Sequence, residues 1–245
     1  MKEYRDCVYE KDIWIDYKLQ AHICTNQKDI GKSCVVENVK VRKLTSGEVA
    51  LCRQYFSNQI HYDKVWLIND SARALGASYK DTSIVRFPFV FLPRSWRDDF
   101  SKEHSALAVV ANWLHEMTHV WQFCVGGSQF ERGNAEGDFR TYDENKKVFV
   151  KNRYAIEWRW IKSFFLHNNE QQGELISQYY MMINSPEFRR ARIDRWPLLE
   201  FAVEKEFLNS DRGASMLPVQ MQRPERDDVL YQSLLDKARI RWGKL

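Results

Sequence analysis

Glycine and proline are scarce in this 245-residue chain, ten and six residues respectively, and neither forms a tract or a period. That excludes collagen-like and low-complexity architectures. Long apolar runs are missing too. The stretch from Ser105 to Leu114 is broken by Asn112 and falls well short of the roughly 20 residues a membrane span needs. Stable membrane insertion is therefore not expected. No charge sign dominates, since 37 Lys and Arg face 33 Asp and Glu for a net +4. So mild a balance gives no electrostatic footprint for nucleic acid. Five cysteines (Cys7, Cys24, Cys34, Cys52, Cys124) are scattered without a C-x-x-C pair, too few for a disulfide scaffold. Cys24 and Cys34 could bridge in an oxidising compartment, and the plainer expectation is reduced thiols. No apolar run follows Met1-Lys2-Glu3, so the expectation is synthesis in the cytoplasm without a secretory signal.

What the chain has is aromatic bulk. Hydrophobic residues make up 44% and aromatic residues 14%, with nine Trp, enough to build a large core. Residues 1–43 read as a strand-rich extension with beta-branched clusters at Ile13-Trp14-Ile15 and Val35-Val36. Thr45-Ser46-Gly47-Glu48 is a capping box, predicting a helix over Ser46–Phe56. Val65–Ile68 reads as a buried strand. Ile84–Leu92 reads as an edge strand, because Pro88 cannot donate to a ladder. From Ser101 to Cys124 the pattern is a helix apolar nearly all round, the mark of a buried central helix. Residues 127–147 read as a polar loop, Phe149–Phe165 and Glu170–Asn184 as helices, and the tail as helical around an interruption at Ser210–Asp228. The fold class expected is α+β and helix-dominated. Its parts would be the extension 1–43, a catalytic core 44–185 and a helical extension 186–245.

The buried helix carries His115-Glu116-Met117-Thr118-His119, an H-E-x-x-H string. At about 3.6 residues per turn, His115 and His119 project from one face and can reach one metal ion. Burying three ionisable groups in an apolar helix is costly unless something pairs with them, and a metal does so. Zn2+ accepts neutral imidazole and keeps an open position for water in catalytic sites. Glu116, rotated about 100° from His115, stands where a general base belongs. The third ligand must come from elsewhere, because in H-E-x-x-H-x-x-G-x-x-H spacing Gln122 replaces the glycine and Val125 the histidine. Glu170, Glu174 and Glu157 are the candidates. Asn169-Glu170 followed by Glu174 resembles the gluzincin pattern, in which the first acid ligates zinc and the second holds a ligating histidine.

A wider likeness joins these pieces. Leu44–Leu51, Ile60–Val65, His115–Gln122 (HEMTHVWQ) and Glu170–Glu174 (EQQGE) together resemble the bacterial Vgr-related zinc metallopeptidases. That group includes metallopeptidase domains attached to type VI secretion spike proteins. The likeness covers about residues 42–182 and departs at Gly173, where alanine is expected. It implies a zincin-like core, with His115, His119 and Glu170 holding zinc, Glu116 as base and Glu174 orienting a histidine. It also implies export by a secretion apparatus into a target cell, a spike protein and an immunity protein as partners, and a peptide or protein substrate such as cell-wall peptide. The alternative is a non-catalytic, metal-containing module of the same apparatus. In zincins the edge strand pairs with the substrate backbone, a role that falls here to Ile84–Leu92. Tyr154, Tyr179, Tyr180 and His167 are the oxyanion candidates, although packing explains such residues more often. Met181-Met182 and Cys124 read as core, and Arg189-Arg190-Ala191-Arg192 as a solvated basic face.

Overall fold

The computed structural model describes residues 33–36, 39–69, 81, 83–102, 105–126, 140–143, 148–151, 154–209 and 228–243. The clusters at Ile13–Ile15, the cysteines Cys7 and Cys24 with any bridge to Cys34, and the interruption at 210–227 lie outside them. The fold is helix-dominated α+β with a small mixed sheet. The chain divides into two compact units, Met1–Ser128 and Gln129–Leu245. Among the described residues no helix is long and apolar enough to cross a membrane.

In the first unit β1 (Ser33–Val36) and β2 (Val39–Lys43) pair antiparallel. β2 then pairs with β3 (Trp66–Ile68), matching Val41 to Ile68. β3 runs parallel to β5 (Phe89–Phe91), with Leu67 opposite Val90. β5 turns back on β4 (Ile84–Arg86), giving the order β1-β2-β3-β5-β4. The single strand expected over Ile84–Leu92 is thus two strands. Pro88 makes the turn between them and gives its carbonyl to the Trp66 amide at 2.9 Å. A residue without an N–H serves a turn better than a ladder. Of these two, Ile84–Arg86 stands at the end of the described sheet, and Phe89–Phe91 is internal and buried.

Between β2 and β3 lies α1 (Ser46–Phe56), with the bounds its capping box predicts. Thr45 Oγ1 accepts from the Glu48 amide at 3.1 Å, and Glu48 returns a carboxylate oxygen to the Thr45 amide at 2.8 Å. Glu48 does more than cap. Its carboxylate is fully buried against Arg42, with bonds of 2.7 and 2.6 Å, and also accepts the Phe100 amide at 2.8 Å. Arg42 in turn donates to the carbonyls of Lys43 and Arg97 and lies over the Trp96 and Phe100 rings. Two buried charges are tolerated because every lone pair and N–H in the fork finds a partner.

The central helix α2 spans Leu107–Gly126, six residues shorter at its start than the expected Ser101–Cys124. Asp99 stops it, accepting from both the amide and the hydroxyl of Ser101, while Ser105 Oγ donates to the Asp99 carbonyl. Short polar side chains that bond their own backbone compete with helix. Once begun, α2 is buried at Val110, Ala111 and every residue from Trp113 to Phe123. Trp113 stacks on Phe100 (5.0 Å between centroids), Trp121 on Phe56 and Phe123 on Phe87. Asn112 donates to Ser83 and Ser95, and Trp121 Nε1 to Gln59. Each such aromatic, fully covered, contributes on the order of 1.5–3 kcal/mol. Cys124 is half-buried, not in the core as its apolar neighbours suggest.

The second unit departs most from expectation. Part of the region read as loop, Arg140–Asp143, is strand β6, paired antiparallel with β7 (Val148–Lys151). Among the described residues of 149–165 there is no α-helix. That stretch holds β7, then turns such as the one closed by the Trp160 amide on the Glu157 carbonyl, then a 3-10 turn at Phe164–Leu166. Val148-Phe149-Val150 favours strand once a partner lies opposite. α3 (Asn169–Asn184) starts at the Asn168 cap and α4 (Pro186–Ala191) follows directly. A helical turn at Trp196–Leu198 runs into the π-helix Leu199–Phe207, and α5 spans Asp228–Trp242. Their core contains Phe164, Met182, Trp196 and Phe207. The basic run is partly structural, because Arg189 donates to the Met182 carbonyl and lies 3.9 Å from the Trp242 centroid.

Candidate metal centre

The packing of α2 fixes where its polar residues stand. His115 and His119, one turn apart, bring their Nε2 atoms to 3.2 Å from each other, with ring planes at 76°. Both rings are more than nine-tenths covered, as is the intervening Glu116. Two nitrogens at about 2.0–2.1 Å from a tetrahedral ion stand about 3.3 Å apart, so the spacing already matches one edge of such a site. His119 Nδ1 lies 2.8 Å from Gln122 Oε1. An amide oxygen only accepts, so Nδ1 carries the proton and Nε2 presents its lone pair. Gln122 is fully buried. In the sequence it stands out only as the residue replacing a glycine. Its signal was the i, i+3 spacing from His119, which places the two on one helical face.

Glu170 is on the first turn of α3, where a carboxylate is favoured by the helix dipole. The two residues after it fasten that turn. The Gln171 amide bonds Asn168 Oδ1 at 2.8 Å, and Gln171 Oε1 accepts the Asn168 amide at 3.2 Å, a second capping box. Gln171 Nε2 also donates to the Ala155 carbonyl, and Gln172 Nε2 to that of Phe164 at 3.2 Å. The E-Q-Q string is thus one acid followed by two clamped amides. Glu170 is half-buried as a residue. His115, His119 and Glu170 form a buried group whose ligand atoms all lie within 4.8 Å of one another, able to hold a metal ion. Among the described residues this is the His, Cys, Asp and Glu group with such geometry.

Two imidazoles and one carboxylate are ligand types that suit a divalent metal ion, zinc among them. Glu157 and Glu174 do not belong to the group. Glu174 Oε1 accepts from Gln178 at 2.6 Å, and its charge faces Arg195. Of the oxyanion candidates, Tyr179 is buried with its hydroxyl 3.3 Å from Glu204. Burial, with that carboxylate's charge, pushes its pKa up to about 12. Tyr154 is half exposed and Tyr180 half-buried. His167 is fully buried. Its Nδ1 donates to the Ser163 carbonyl at 3.0 Å, and burial, then the charge of Lys162, holds its pKa well below the ordinary histidine range.

No known family's sequence profile matches the chain. It is similar to the type VI secretion system spike protein VgrG2b of Pseudomonas aeruginosa, 24% identical over 143 residues. Those residues are 58% of this chain and 13% of the spike protein, so the chain spans a small part of that relative. It is also similar to the solved effector domain of the same protein at 22% identity and a TM-score of 0.40. That likeness covers 71% of this chain and 88% of the domain.

Proposed function

We propose that the chain is a zinc-dependent hydrolase of peptide or amide bonds, built on a zincin-like core, and an antibacterial effector of a type VI secretion system. The observation that carries the reading is the convergence of His115, His119 and Glu170, with the buried carboxylate of Glu116 next to His115 on the same helix. Zinc held there would polarise the scissile carbonyl and acidify the attacking water. Glu116 takes the proton of that water and returns it to the leaving nitrogen as the bond breaks. Glu174 is the expected orienting partner for a histidine. The sequence similarity to a spike protein supports the setting, in which the chain is made in the cytoplasm, exported with a spike and held in check by an immunity protein. The substrate is a peptide or protein, cell-wall peptide included.

The test is Glu116→Gln, which keeps the shape and removes the base. Zinc content and thermal melt should match the wild type. Hydrolysis and toxicity in the susceptible compartment should fall about 10²–10⁴-fold. Equal toxicity of the two proteins would favour a non-catalytic module.

A further inference from the structure

We infer that Gln122 is a positioning residue for the proposed metal centre, acting through His119 as a neutral counterpart of the acid usually given that task; the inference rests on the zinc reading above. An imidazole has two nitrogens and, when neutral, one proton. Free in water it can keep that proton on either nitrogen, and only a ring with Nε2 bare can ligate at the edge shared with His115 Nε2. Gln122 Oε1, at 2.8 Å from His119 Nδ1, takes the proton-bearing nitrogen and leaves Nε2 bare toward His115 at 3.2 Å. The glutamine is itself immobilised. It is fully buried three residues on from His119, in the stretch where Val120, Trp121 and Phe123 are covered as well. A long flexible side chain held this way has already lost its rotamer freedom on folding, so orienting the ring costs no further order when the ion arrives.

The choice of an amide over a carboxylate has its own consequence. A carboxylate at the free N–H makes the imidazole a stronger donor to the metal. Gln122 orients the ring without adding charge, which leaves the bound ion more electron-poor and its affinity lower than an acid would give. The two functions, orientation and charge, can therefore be separated by substitution at one position.

Gln122→Met removes the acceptor at similar volume; Gln122→Glu keeps the acceptor and adds charge. Zinc affinity, measured by competition with a chelating dye, should fall about 10–100-fold in Gln122→Met, the usual scale for a partner of a ligating histidine. In Gln122→Glu it should equal or exceed the wild type. A residue that merely packed would weaken in both variants alike, and that result overturns the inference, as does unchanged affinity in Gln122→Met. Histidine ring ¹⁵N shifts in the metal-free proteins give an independent readout. His119 should be protonated at Nδ1 in wild type and Gln122→Glu, and shift toward Nε2 in Gln122→Met. A tautomer unchanged in Gln122→Met overturns the inference even if affinity drops. Should wild type take up no zinc at all, the zinc reading fails while the tautomer measurement still decides the role of Gln122. If Gln122→Met does not fold, Gln122→Glu remains decisive, since zinc binding weaker than wild type in that variant contradicts an orienting acceptor.

Discussion

The first unit buries charge and polarity in two places and handles them in opposite ways. At Arg42 and Glu48, donor meets acceptor: four N–H groups converge on one carboxylate, two from the guanidinium and two from the backbone of Thr45 and Phe100. On α2, the imidazoles of His115 and His119 meet one turn apart, with their Nε2 atoms 3.2 Å from each other. Both clusters are excluded from water. The first is complete with protein atoms and has nothing left to offer a ligand. The second belongs, with Glu170, to a group of side chains that could hold a metal ion. Burial alone does not separate the two clusters; the kind of side chain buried does.

If that contrast is right, each cluster can be broken without the other. Glu170→Ala should remove most zinc affinity, Glu174→Ala should cost about 10–100-fold, and Glu157→Ala should leave zinc in place. All three should melt close to the metal-free wild type. Zinc lost in Glu157→Ala but kept in Glu170→Ala would reverse the ligand assignment. Arg42→Met should do the reverse, leaving Glu48 as a buried unpaired charge at a cost of about 3–5 kcal/mol. Protein that remains folded at low temperature should still bind zinc. Urea unfolding with a parallel zinc titration checks both halves, and a zinc affinity that falls in step with stability would merge the two clusters into one.

His167 sharpens the contrast from a third side, as a buried group that needs neither counter-charge nor ion while it stays neutral. Its pKa in the folded protein lies well below the ordinary value, through burial first and Lys162 second. Below pH of about 6.5 the unfolded chain takes up a proton that the folded chain refuses. Stability is therefore complete above that pH and is lost as pH falls toward the folded pKa, by up to about 1.4 kcal/mol per unit. His167→Gln keeps a donor for the Ser163 carbonyl and removes the titration. Urea midpoints at pH 7.5 and 5.5, with chelator present, should show a smaller acid loss in the variant. Equal losses would assign the acid sensitivity to other groups.

Local chemistry was readable in the sequence wherever it acts over one helical turn. Thr45 with Glu48 and His115 with His119 declare themselves by spacing, and α1 has its expected bounds. The misreadings share a cause in partners far along the chain. Val148–Lys151 is strand because Arg140–Asp143 lies opposite, a segment too polar to suggest it. Pro88 reads as an edge-strand residue until the parallel pairing of Phe89–Phe91 with Trp66–Ile68 shows that it turns the chain. Glu48 declared its capping role but not its place beside Arg42 and Phe100, and Gln122 looked like the failure of one metal motif when it belongs to the support of another.

The Arg42–Glu48 fork also governs how this sequence can drift. Any single exchange of sign or loss of charge at either position passes through a state with a lone ion in the core. A double exchange for two apolar side chains of similar volume can be neutral or better. Lineages are thus separated by a valley that single steps do not cross, and positions 42 and 48 should change together or not at all.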